Sequence, residues 1–236
     1  MVEFLFLDLD DTILDFHKAE EIALGTTLRV FGIDPTPETC ELYSDINKAC
    51  WEALERGEMT RAQVAVGRFA ELFSRLDISV DAAECNRCYW EQLSIGHYFL
   101  PGAEGALQTL SANYKLYIAS NGTKSVQQPR LESAGIEKYF QDIFISEDMG
   151  ADKPSKIFFE RCFARISDFD PKKAMIVGDS LSSDIQGGIN AGIVTCWINP
   201  EMKTSEIIRP DYEIEALSQL PALLQSLLPG ESVKNL

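Results

Sequence analysis

Asp8-Leu9-Asp10-Asp11-Thr12 follows directly on the apolar run Phe4–Leu7. If that run is a strand, Asp8 and Asp10 project to one side while Leu7 and Leu9 face the other. Two carboxylates aimed into one small space repel each other unless a cation sits between them. A turn that only caps a helix asks for one aspartate, not a cluster. A second acidic group, Gly178-Asp179-Ser180 through Asp184, leaves another apolar run. Asp179 can complete a magnesium site, which takes one or two carboxylates together with water and substrate phosphate. Asp184, at the start of a helix, either supports such a metal from behind or is favoured there by the helix dipole. Ser120-Asn121-Gly122 supplies a hydroxyl and backbone N–H groups where a strand meets a helix, a natural phosphate cradle. Lys153, before Pro154, adds one cation. The chemistry of this set is metal-assisted handling of a phosphate.

Five apolar runs must position these residues: Phe4–Leu7, Leu116–Ala119, Ile143–Ile145, Ala174–Val177 and Val194–Ile198. Near-continuous apolar runs of that length are strands buried on both faces, as in a parallel sheet. Helical patterns over Ser125–Ala134, Ser155–Ile166 and Ser182–Ala191 alternate with the later runs. The expected fold is α/β, a doubly wound, Rossmann-like parallel sheet with ligands at the carboxyl ends of its strands. All the polar groups named above lie at those ends.

The interval between the first run and the second is too long for a single crossover. Thr36-Pro37 starts a helix that stops near Gly57, Thr60-Arg61-Ala62-Gln63 is a capping box for the next, and a third spans about Val80 to Leu93. Residues 16–96 are therefore expected to form an inserted helical cap, with residues 1–15 and 97–236 as the core. Gly96 and Gly102 are candidate hinge positions, and residues 227–236 a frayed tail.

The four polar elements, in this order, resemble the haloacid dehalogenase superfamily. The motifs of its phosphatases stand here as Asp8-x-Asp10-x-Thr12, Ser120, Lys153-Pro154 and Gly178-Asp179-x4-Asp184. The resemblance implies that Asp8 is the nucleophile and forms an aspartyl-phosphate. It implies that Asp10 is the general acid and base. Mg2+ would be held by Asp8, the Asp10 carbonyl and Asp179, with Asp184 supporting them from behind. Thr12, Ser120, Asn121 and Lys153 would hold phosphoryl oxygens. Asp10 sets the dehalogenase branch aside, because carbon–halogen cleavage needs no leaving-group proton. Phosphomutases share all four motifs and stay open. Further stretches, among them Ile46-Asn47-Lys48, Gly67-Arg68-Phe69 and Thr195-Cys196-Trp197-Ile198-Asn199, are similar to the bacterial house-cleaning nucleotidases that act on pyrimidine 5′-monophosphates. That similarity implies a pyrimidine nucleotide substrate, with Asn47 and Arg68 in the cap meeting base or ribose. A sugar-phosphate or phosphoglycolate phosphatase is the alternative. Pro129 departs from the expected aliphatic residue and is expected to start its helix late or kink it.

Bulk composition narrows the partners. Net charge is −16, from 37 acidic and 21 basic residues, a field that repels nucleic acid polymers and anionic membranes. The Cys85-x-x-Cys88 pair has zinc-like spacing but lacks the other two ligands of a tetrahedral site. The six cysteines fit a reducing compartment, and neither a signal peptide nor an 18-residue apolar run is present. A cytoplasmic enzyme, monomer or weak dimer, is expected. A silent binding module is set aside, since it has no reason to keep two repelling carboxylates beside a lysine.

Overall fold

The segment Phe4-Leu5-Phe6-Leu7 is fully buried, as a central strand with neighbours on both sides requires. In the computed structural model, which describes residues 1–228, it is β1 (Phe4–Leu7). It is followed by β2 (Lys115–Ser120), β3 (Phe140–Ile145), β4 (Ala174–Gly178), β5 (Val194–Ile198) and β6 (Tyr212–Ile214). The sheet order is β3-β2-β1-β4-β5-β6, with every neighbouring pair parallel. From β1 the chain winds outward to β3, then returns to place β4 on the other side of β1. The switch point of this doubly wound sheet therefore lies between β1 and β4, where such folds bind ligands. Phe6, Tyr117 and Phe144 stack across three adjacent strands, with ring centroids 5.3 Å and 5.8 Å apart in successive pairs.

The helices are α1 (Phe16–Val30), α2 (Pro37–Glu55), α3 (Arg61–Arg75), α4 (Ala82–Leu93), α5 (Ala103–Ser111), α6 (Lys124–Ala134), α7 (Ser146–Met149), α8 (Lys156–Phe163), α9 (Gln186–Ala191) and α10 (Leu220–Ser226). Local chemistry sets the starts of α2 and α3. Thr36 caps α2 with Pro37 at its first position. At α3 the Thr60 N–H donates to Gln63 Oε1 at 2.8 Å while Thr60 Oγ1 accepts from the Gln63 N–H at 3.3 Å, a reciprocal capping box.

The chain divides into two compact units, one of residues 1–15, 99–123 and 135–236, the other of 16–98 and 124–134. Helix α6, which the sequence assigned to the core, belongs to the helical unit. Its Val126 joins that unit's apolar cluster, and its buried Arg130 donates to Gly96 O at 2.7 Å. Other differences are local. Pro129 lies inside α6, which already starts at Lys124 and so is not delayed by it. The helix expected over Ser182–Ala191 opens with a π-type turn, Leu181–Ile185, before α9. The glycines there serve close packing: a methyl on Gly188 would lie 2.4 Å from Ile176 Cγ2. Strand β6 has no apolar run to announce it; it is held at the sheet edge by pairing with β5. The expected tail falls, from residue 229 onward, outside the described residues.

Candidate active site

Asp8 is the first residue beyond β1, and its N–H donates to Val177 O at 2.9 Å. That bond carries the β1–β4 ladder one step further and sets Asp8 level with the end of β4. The chain then folds sharply: Ile13 and Leu14 both donate to Leu9 O, and Asp11 takes a positive φ of 50°, which aspartate tolerates better than most residues. Thr12 is thereby buried, and its hydroxyl has no hydrogen-bond partner among the described residues. A buried hydroxyl left unmatched costs stability unless a ligand supplies the missing bond.

Beyond β4, Asp179 and Asp184 come back to the same place. Carboxylate oxygens of Asp8, Asp179 and Asp184 lie within 4.8 Å of one another, the sole group of three or more potential metal ligands of this kind among the described residues. Gly178 makes this possible, because Asp184 occupies the space a side chain there would fill. The Asp10 carboxylate is not in the group. Asp184, expected behind the ligands, offers a carboxylate oxygen to the same group.

Lys153 enters from the loop beyond β3 with only 1% of its surface exposed. Its ammonium donates to Asp8 Oδ1 at 2.9 Å and to Asp184 Oδ1 at 2.5 Å. Burial works to lower its pKa, but the carboxylates of Asp184 and Asp8 outweigh burial and hold it above its ordinary value. Burial raises the Asp8 carboxyl to about 7, with Asp184 and Asp10 adding to the effect and Lys153 opposing it. Burial, then Asp184, Asp8 and Asp11, push Asp179 well above the carboxylate range. One ammonium thus faces three carboxylates. Hard oxygen donors carrying excess negative charge are what a small divalent cation requires, so the residues present fit a magnesium ion.

Ser120 is buried at the end of β2, and its Oγ accepts from the Gly122 N–H at 3.1 Å. Asn121, read from sequence as a phosphate ligand, has its side chain engaged with Lys153 and Ser183. Its main chain follows directly on the end of β2, as expected. Two contributors were given no role from the sequence: Ser183, which accepts from Asn121, and Trp197, whose indole N–H donates to Asp179 O at 2.7 Å.

Asn47 and Arg68 belong to the helical unit. Both are buried in the helical unit, 4% and 3% exposed, with their polar ends turned to each other. Arg68 donates to Asn47 Oδ1 and Asn86 Oδ1, each at 2.9 Å, and Asn47 donates to the buried Glu20 at 2.7 Å. The guanidinium also lies 4.8 Å from the Tyr89 ring centroid. The two residues expected to meet a nucleoside are parts of an interior polar network.

Known proteins place the arrangement in context. A family described as haloacid dehalogenase-like hydrolase matches residues 5–198. The HAD-hydrolase YfnB of Bacillus subtilis is 41% identical over 93% of this chain and 94% of its own. Its crystal structure, bound to magnesium, superposes with a TM-score of 0.91 and 40% identity, covering 94% of this chain and 98% of that one. The pyrimidine 5′-nucleotidases PynA of Streptococcus pneumoniae and YjjG of Escherichia coli are 36% and 32% identical. Those matches cover 92% and 94% of this chain, and 93% and 97% of theirs.

Proposed function

Because the chain belongs to the haloacid dehalogenase-like hydrolase family, we propose that it hydrolyses pyrimidine nucleoside 5′-monophosphates through a phosphorylated Asp8. The observation that carries this reading is the meeting of Asp8, Asp179, Asp184 and Lys153 at the switch point of the sheet. Its likeness to PynA and YjjG along nearly the whole chain supports the nucleotide class.

Asp8 Oδ attacks phosphorus as the bond to the nucleoside 5′-oxygen breaks, leaving an acyl phosphate on Asp8. Asp10 gives a proton to the departing oxygen, then takes one from the water that cleaves the acyl phosphate and restores the Asp8 carboxylate. Lys153 holds Asp8 and balances charge on the phosphoryl oxygens, while Ser120, the Asn121 main chain and the unmatched Thr12 hydroxyl offer donors around the group. A magnesium ion held by Asp8, Asp179 and the Asp10 carbonyl, with Asp184 beside them, would neutralise the charge that keeps a carboxylate from a phosphate. The six cysteines are free, in keeping with a cytosolic enzyme. Among the described residues no helix is long and apolar enough to cross a membrane.

The test is turnover with magnesium on a panel of dUMP, dTMP, UMP, purine nucleotides, phosphoglycolate and sugar phosphates. Pyrimidine monophosphates should give the highest kcat/KM. A sugar phosphate ranking above them removes the nucleotide class, and full activity in EDTA removes the metal.

A further inference from the structure

Asn121 puts its side chain on the main chain of another loop. Its Oδ1 accepts from the Lys153 N–H at 2.8 Å, and its Nδ2 donates to Lys153 O at 2.8 Å. One amide thus grips both backbone polar groups of a single residue, as a neighbouring strand would. The second Nδ2 hydrogen goes to Ser183 Oγ at 3.1 Å. An amide nitrogen has two hydrogens, so none is left for a phosphoryl oxygen.

Ser183 adjoins Asp184, and Asp184 accepts from the Lys153 ammonium. The loops beyond β2, β3 and β4 are therefore joined through one side chain. Asn121 follows directly on Ser120, whose register with Ile145 fixes the end of β2 against β3. A lysine ammonium sits on a flexible four-carbon stem, so its location depends on how firmly its own backbone is held. We propose that Asn121 is a positioning residue: it fixes Lys153 so that the ammonium lies between Asp8 and Asp184. This rests on the reading of Lys153 as the cation that meets phosphate.

The experiment is a double-mutant cycle on Asn121→Ala and Lys153→Ala. It is read as affinity for inorganic phosphate by titration calorimetry with magnesium present, and as turnover of nitrophenyl phosphate. Asn121→Ala should lower kcat/KM about 10- to 100-fold, the scale of a misplaced catalytic group, and should weaken phosphate binding while the protein still melts cooperatively. In the Lys153→Ala background the same change should lower phosphate affinity by less than about threefold, because residues acting as one unit are not additive. Additive losses would mean that Asn121 acts on phosphate independently of Lys153, and would overturn the proposal. So would an Asn121→Ala enzyme matching wild type. Should Asn121→Ala not fold, the isosteric Asn121→Asp keeps the acceptor toward the Lys153 N–H and loses both donors. It should then show the loss, and wild-type behaviour overturns the proposal. If Lys153→Ala alone leaves phosphate affinity and turnover intact, the reading of the site falls as well; the other failures touch Asn121 alone.

Discussion

Replacing Gly178 with alanine adds one methyl where there is no room for it. That carbon would stand 2.1 Å from Asp184 Oδ2, 2.3 Å from its carboxyl carbon and 2.8 Å from its Cβ. Gly178 is not among the positive-φ glycines, so its backbone suits alanine and the penalty is one of space. Rotating the carboxylate cannot clear the contact with Cβ, so the turn Leu181–Ile185 must shift and carry Asp184 with it. Asp184 then loosens its bonds to Lys153 Nζ at 2.5 Å and to the Ser180 N–H at 3.1 Å. Overpacking costs about 1–3 kcal/mol, and detaching one member of a buried ion pair costs about 3–5 kcal/mol. Lys153 keeps Asp8 at 2.9 Å, so the lower half of the combined range, about 4–6 kcal/mol, is expected. At about 2–4 °C per kcal/mol for a chain of this size, Tm should fall by roughly 10–20 °C. Circular dichroism melts of wild type, Gly178→Ala and Gly105→Ala test this. A methyl at Gly105, inside α5, meets nothing within 4 Å, and that variant should melt at or slightly above wild type, since alanine favours a helix. A Gly178→Ala protein melting within about 3 °C of wild type would refute the packing of Asp184 against Gly178.

Four further outcomes are expected. Asp10→Asn should slow hydrolysis of dUMP far more than that of nitrophenyl phosphate, whose leaving group needs no proton; equal losses would remove Asp10 as the acid. Without metal, burial holds the Asp8 carboxyl at about 7 against an ordinary 3.8. Its stabilising contribution is therefore full below pH about 4 and lost as pH rises through about 7. The metal-free Tm should drop between pH 5 and 8, magnesium should restore more of it at pH 8, and Asp8→Asn should flatten the difference. Trp197→Phe keeps the ring but deletes the donor to Asp179 O, so magnesium affinity by calorimetry should weaken about tenfold; an unchanged affinity would mean that this bond does not orient Asp179. Arg68→Ala strands two buried amide oxygens and should cost at least about 2 kcal/mol, with KM for dUMP and nitrophenyl phosphate changing together. A rise confined to dUMP with Tm intact would return Arg68 to nucleoside recognition.

The division between what was legible and what was not follows the range of the forces involved. The strand carrying Asp8 was visible because Phe4–Leu7 must be apolar on both faces, and its end had to be polar because a ligand waits there. The helices that start from Thr36 and Thr60 were visible because their first N–H groups are satisfied within a few residues. Strand β6 was not: its three residues gain their place from β5 and from Asp211, which accepts from the Thr195 N–H and hydroxyl.

The same logic separates the aspartates from Asn121, Arg68 and Trp197. A carboxylate at a strand end has few reasons to be there other than charge, so its type betrays its use. Amides, guanidinium groups and indoles have many uses, and which one applies depends on partners distant in sequence. Arg68 looked like a cation available to a substrate; Asn47 lies 21 residues away and Asn86 18 residues away, and they absorb two of its hydrogen bonds. Asn121 looked like part of a phosphate loop; Lys153, 32 residues on, takes its amide instead. In a chain of net charge −16, a single lysine held by two carboxylates is dependable only if its backbone is fixed as firmly as its charge. That is the demand an amide at the end of β2 can meet and a surface lysine could not.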